Sequence, residues 1–171
     1  MERINIRRIE VFQEGENVFT SNGISRVKVT KDGEIIAIEI PIKSTGISEI
    51  VDRFNKKAPQ PPLMDVLVEP EDKLGRELNL TKKKWIKMPN FGDPDYIKAK
   101  EKHETDLGMK ILMTGLAVEL RDKEGNTVED EEKKLEIMKS MGMTGDQFSK
   151  IVDDITSLTR WREEEQVQLL E

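Results

Sequence analysis

The chain has 171 residues, a length that fits one ordinary domain of about 100–200 residues or a compact unit with a helical appendage. Apolar residues make up 36%, against a typical ~45–50% counted with glycine, and charged residues 36% against ~25%, so the core is small relative to the surface. The absence of cysteine excludes disulfides, thiolate zinc sites and cysteine nucleophiles, and a net charge of -6 argues against nucleic acid or an anionic membrane as partner.

That charge is unevenly placed. Lys and Arg number 10 against 9 Asp and Glu over residues 1–60, 12 against 13 over 61–126, and 6 against 12 over 127–171. The acidity therefore sits at the C-terminal end, where it keeps a helical segment in solution or meets a basic partner. No run approaches the ~18 apolar residues of a membrane span, and Met1-Glu2-Arg3-Ile4-Asn5 lacks the apolar region of a signal peptide. The expected location is the cytoplasm, that of the host cell if a phage encodes the chain.

In chain order, Ile4, Ile6 and Ile9, with Val11 beginning a new phase, predict a strand whose alternation slips at Arg7-Arg8. Val27 and Val29 alternate with Arg26, Lys28 and Thr30, Asp32-Gly33 supplies a hairpin turn, and Ile36, Ile38, Ile40 and Ile42 resume the alternation. Ile47, Ile50, Val51 and Phe54 draw one helical stripe ending at Lys56-Lys57, and Pro59-Gln60-Pro61-Pro62 stops it. Leu63, Val66 and Val68 predict a further strand, Trp85, Ile86 and Met88 another, with a polar loop over 69–84.

Asp93-Pro94 has the form of an N-cap followed by proline at the first helical position, and the apolar spacing from Ile97 through Ile111 and Leu112 predicts a helix from about 94 to 118. Gly108 and Gly115 are its weak points, each costing ~1 kcal/mol relative to alanine. Lys123-Glu124-Gly125-Asn126 is a turn. Glu129 to Glu132 place negative charge at the start of a helix bearing Leu135, Met138 and Met141, and Gly142 ends it. Thr144 and Gln147 form a capping-box pattern for a helix with Phe148, Ile151, Val152 and Ile155, and a last segment carries Leu158, Trp161, Val167, Leu169 and Leu170. The expected fold class is α+β: an antiparallel, hairpin-rich part over 1–92 with a packed helix, arranged as one sheet, followed by a mostly helical part over 93–171 that could join it in one compact domain.

Conventional chemistry finds little footing. His103 is flanked by Glu101, Glu104 and Asp106, but a helical metal pair wants a ligand at i+4 or a Glu at i-3, and those positions hold Leu107 and Lys100. Asp93 and Asp95 could act as paired carboxylates, yet capping a helix N-terminus requires the same residues. Lys82-Lys83-Lys84-Trp85 invites phosphate contact with base stacking, but the basic run is short and its surroundings neutral. No phosphate-binding glycine loop or nucleophile elbow occurs, so neither an enzyme nor a cofactor is expected. Met138, Met141 and Met143 cluster near Phe148, and thioethers suit both core packing and an adaptable partner groove. With Trp161, Leu169 and Leu170 they are the candidate partner-binding residues.

Ile40-Pro41-Ile42-Lys43-Ser44-Thr45-Gly46-Ile47-Ser48-Glu49-Ile50 leading to Ala58-Pro59-Gln60-Pro61-Pro62, then Phe91-Gly92-Asp93-Pro94-Asp95-Tyr96 opening a helix, then an acidic helical end with Leu158-Thr159-Arg160-Trp161, together resemble bacteriophage or prophage tail assembly chaperones over roughly 35–171. The resemblance implies a non-enzymatic protein that binds the aggregation-prone tape measure protein and helps tail tube subunits assemble around it. It also implies that a longer product can arise by ribosomal frameshifting. The β-rich N-terminal segment departs from the small, mostly helical members of that family. A structural tail or baseplate component or another non-enzymatic protein-binding adaptor is the alternative, and a second copy of the chain, in a homo-oligomer, is a further candidate partner. A metal-dependent hydrolase built on Asp93, Asp95 and His103 is the enzyme alternative.

Overall fold

Alternation and turn chemistry build the first hairpin. In the computed structural model, which describes residues 5–160, strand β1 (Asn22–Lys31) pairs antiparallel with β2 (Glu34–Lys43), with Val27 opposite Ile38 and Val29 opposite Ile36. The two-residue turn between them holds Asp32 at φ 51° and Gly33 at φ 81°. Positive φ at both central positions is the type I′ geometry that follows the right-handed strand twist, and the Asp-Gly pair tolerates it. Helix α1 (Ile47–Lys56) follows and buries Ile47 and Ile50.

A second hairpin joins β3 (Leu63–Val68) to β4 (Lys84–Pro89), with Val66 opposite Ile86 and Leu67 opposite Trp85. Between them lies a five-residue helix, α2 (Lys73–Glu77). Helix α3 (Pro94–Gly115) begins with the Asp93 carboxylate accepting the Tyr96 backbone N–H at 2.9 Å. Helices α4 (Glu131–Ser140) and α5 (Gly145–Ser157) complete the described part. The Asp130 carboxylate caps α4, and Thr144 with Gln147 forms a reciprocal capping box on α5. The fold is α+β, with strands early and helices late.

Four expectations are corrected. Residues 5–21 contain no strand: Ile6, Val11 and Phe12 stand exposed, and the alternation through Ile9 finds no partner strand among the described residues. Ile4 lies outside the described residues. The strands form two separate two-stranded sheets, because each hairpin closes locally while α1 and the proline run intervene between β2 and β3. The polar stretch 69–84 holds α2, too short and too polar to show a period. Helix α3 ends at Gly115 instead of 118. Beyond it Leu116 bridges to Ile42, and Ala117 donates its N–H to the Pro41 carbonyl at 2.9 Å, so apolar residues that continued the helical spacing serve a strand contact.

The described residues divide into two compact units. One draws on Met1–Asp52 and Gly108–Glu171, the other on Arg53–Leu107. The chain crosses between them within α1 and within α3, so the change from strand-rich to helix-rich sequence near residue 92 falls inside the second unit.

In the first unit α5 packs on β1. Ser25, Val27, Ile42, Ile111, Leu112, Ile151 and Ile155 are buried, and the Ser25 hydroxyl donates to the Asp154 carboxylate at 2.7 Å. Gln147, besides capping α5, donates its side-chain amide to the Lys28 carbonyl, so the helix start is tied to the strand. Helix and strand meet through period-matched apolar faces, and the one buried polar group between them is satisfied.

Candidate protein-contact surfaces

The methionine cluster divides when the chain folds. Helix α4 ends in a Schellman motif: Gly142, at φ 92°, donates to the Lys139 carbonyl and Met143 to the Met138 carbonyl. Met138 and Met143 therefore occupy the two positions of that motif that are commonly apolar. Met138 is only 4% exposed and belongs to the core, whereas Met141 is 79% exposed. Met143 and Phe148 are half-buried. These four residues do not make one outward patch. Trp161, Leu169 and Leu170 lie outside the described residues.

The polar candidates are likewise placed by local structure. His103 is half-buried with its ring 5.4 Å from that of Phe54, tilted by 49°. No group of three or more His, Asp or Glu side chains that could hold a metal ion occurs among the described residues. Asp93 is engaged as the α3 cap, and Asp95 lies in the first helical turn, where negative charge meets the positive end of the helix dipole. Lys84 and Trp85 belong to β4, with Lys82 and Lys83 just before it.

What remains are apolar side chains on paired strands, of which only Trp85 was among the candidates, and there as a base-stacking residue beside the lysines. In the second unit Leu63 and Leu67 lie on one face of β3, and Trp85, 64% exposed, stands directly opposite Leu67. In the first unit β2 exposes Ile35 at 70%, Ile36 at 41% and Ile38 at 44%. Ile36 and Ile38 share the face of Ile42, but α5 lies mainly over β1 and leaves them partly open. The signal for β2 was in the sequence: Ile35 and Ile36 are adjacent, so a large apolar side chain falls on each face of the strand, which alternation with one solvated face does not require. Two-stranded sheets bury too little of such faces by themselves.

The 119–127 loop holds a compact set of charged and polar bonds. The Glu119 carboxylate accepts two hydrogen bonds from Arg121, both 3.2 Å, and one from the Thr127 hydroxyl. Arg121 foremost, then Thr127, hold the Glu119 carboxyl below its ordinary range. Asp122 accepts the backbone N–H groups of Asn126 at 2.8 Å and Glu124 at 3.0 Å, and the Asn126 bond chiefly lowers its pKa. These are structural bonds that close a turn.

No protein-family model, curated protein or solved structure matches this chain, and no helix among the described residues is long and apolar enough to cross a membrane.

Proposed function

We propose that this protein is a tail assembly chaperone of a phage or prophage, holding the tape measure protein while tail tube subunits assemble. The observation that carries the reading is the set of large apolar side chains presented on paired strands, above all Leu63, Leu67 and Trp85 on one face of the second hairpin. Exposed apolar area framed by polar surface is the physical requirement for holding an aggregation-prone helical chain. A partner of that kind needs non-directional contact, which an indole and two leucines provide without a specific polar code. The acidic C-terminal composition would keep such a complex in solution, and Trp161, Leu169 and Leu170 offer further anchors at the sequence level. The sequence likeness to tail assembly chaperones supplies the identity of the partner.

The test is co-expression with the long coiled-coil protein encoded nearby, scoring that protein's soluble fraction and co-purification. Rescue with a stable complex is expected, and a Trp85→Ala, Leu67→Ala double variant is expected to reduce co-purification at least tenfold while remaining folded by circular dichroism. Failure of rescue with both proteins well expressed would overturn the reading.

A second reading is favoured by a separate observation, the open strand edges of both hairpins, which suit sheet augmentation in a finished particle. A structural tail or baseplate component would be found by mass spectrometry of purified particles, from which an assembly chaperone is absent.

A further inference from the structure

The first hairpin carries an edge whose hydrogen-bonding groups can be assigned. A two-residue turn makes its flanking pair, Lys31 and Glu34, a hydrogen-bonded pair, and the alternation then directs Ile36, Ile38, Ile40 and Ile42 toward β1. The N–H and C=O groups of Ile35, Ala37 and Glu39, and the carbonyl of Pro41, point away from it. The Ala117 N–H bond to the Pro41 carbonyl agrees with this phase. Among the described residues nothing pairs with Ile35, Ala37 or Glu39 across that edge. Natural edge strands are blunted by charged side chains, above all lysine, by proline or by bulges. Residues 34–40 of β2, Glu-Ile-Ile-Ala-Ile-Glu-Ile, hold no lysine, proline or bulge; their two charges are Glu34, next to the turn, and Glu39, paired with Arg26, and three isoleucines stand exposed.

We infer that this edge pairs antiparallel with the same edge of a second copy of the chain, with Ala37 on the two-fold axis. In that register Ala37 faces Ala37, and Ile35 faces Glu39 of the other copy. Each is a hydrogen-bonded pair exchanging two N–H···O bonds. Ile36 then lies opposite Ile38 of the other copy, in the non-hydrogen-bonded pairs where side chains approach most closely. The inner faces join into one four-stranded sheet with the order β1-β2-β2-β1, and the isoleucines that α5 leaves open become its centre.

The neighbouring registers are worse. Centring on Ile38 sets Ile35 against Pro41, which has no N–H to give. Centring on Glu39 sets two carboxylates directly opposite one another, and centring on Ile36 sets Glu39 against the turn residue Gly33. In the Ala37 register each Glu39 already has a partner within its own hairpin, Arg26 at 3.3 Å. Hydrogen-bond phase, charge and apolar contact thus agree on one arrangement. This inference is independent of the tail-assembly reading.

Ala37 is exposed and sits beside Lys28 in the hairpin, so charged substitutions there leave the fold in place. Sedimentation equilibrium of the full chain is expected to give a dimer. Ala37→Lys and Ala37→Glu are each expected to weaken self-association at least tenfold with an unchanged circular dichroism spectrum, and an equimolar mixture of the two to recover a 1:1 heterodimer. Because the chain has no cysteine, Ala37→Cys offers a second reading, since facing Cα atoms ~5.5 Å apart lie within disulfide reach and oxidation should cross-link the dimer. A wild-type monomer at all concentrations overturns the inference, as do charge variants that associate like wild type or a mixture that stays monomeric. Loss of the dimer on deleting residues 1–12, with the Ala37 variants unaffected, would place the dimer contact in the N-terminal residues and likewise overturn the inference.

Discussion

Some carboxylates in this protein accept bonds that close a turn, and the 119–127 loop shows how that ties local structure to pH. Asp122 collects two backbone N–H groups, and Glu119 binds Arg121 and Thr127; both carboxyls are held below their ordinary range by these bonds. A carboxyl whose folded pKa is depressed binds fewer protons in the native state, so its stabilisation is present above the unfolded value and is lost as pH falls through the folded one. The expected outcome is local. As pH falls into the range near ~4 where free carboxyls protonate, the Glu124 and Asn126 amide resonances should hold their positions, and they should move only at lower pH, as Asp122 itself protonates. Asp122→Asn should shift them at neutral pH. Resonances that move only together with global unfolding would contradict the assignment.

At the scale of the element, α3 carries two glycines that spacing alone cannot tell apart. A Cβ placed on Gly108 meets nothing within 4 Å, whereas one on Gly115 would lie 2.6 Å from two carbons of Ile155, a fully buried side chain of α5. Gly108→Ala should therefore stabilise by about 0.5–1 kcal/mol through helix propensity. Gly115→Ala should destabilise by about 1–3 kcal/mol through overpacking. Urea denaturation of the two single variants checks both signs, and equal stabilisation by both would refute the close approach of α3 to α5. The pair also marks the boundary of what the sequence discloses. Asp32-Gly33, Asp93-Pro94, Thr144 with Gln147, and Gly142 each act through partners a few residues away, and each forms the turn or cap that its residue types imply. Ile4 with Ile6, and Ile9 with Val11, alternate as well as many strand residues do, but a strand needs a partner at long range, and no local pattern supplies one. The same reason hid the separation of the strands into two sheets. It also explains Met138, in the last turn of α4, and Met141, the residue that caps that helix, of which packing selects one for the core and leaves the other in solvent.

Across the whole molecule, burial is unequally shared between the two units. Among the described residues, every buried apolar side chain except Val68 belongs to the unit built from Met1–Asp52 and Gly108–Glu171. The unit over Arg53–Leu107 relies on half-buried groups, including Phe54 against His103, and on the backbone pairing of β3 with β4. Local opening free energy follows buried apolar contact, so the second unit should open below the free energy of global unfolding. Hydrogen exchange followed by mass spectrometry should find peptides over 63–68 and 84–89 exchanging at least tenfold faster than those over 22–31 and 145–157. Val68→Ala should widen that gap by removing the one fully buried apolar side chain of that unit. Uniform protection would mean that the two units unfold as one and that the thin core is not a weak point. A low opening energy bears directly on the proposed role, because Leu63, Leu67 and Trp85 lie on the less protected hairpin. Its backbone could adjust to an irregular apolar partner at little cost while the first unit stays fixed. Adding a stoichiometric tape measure segment should then slow exchange over 63–89 and leave 145–157 unchanged.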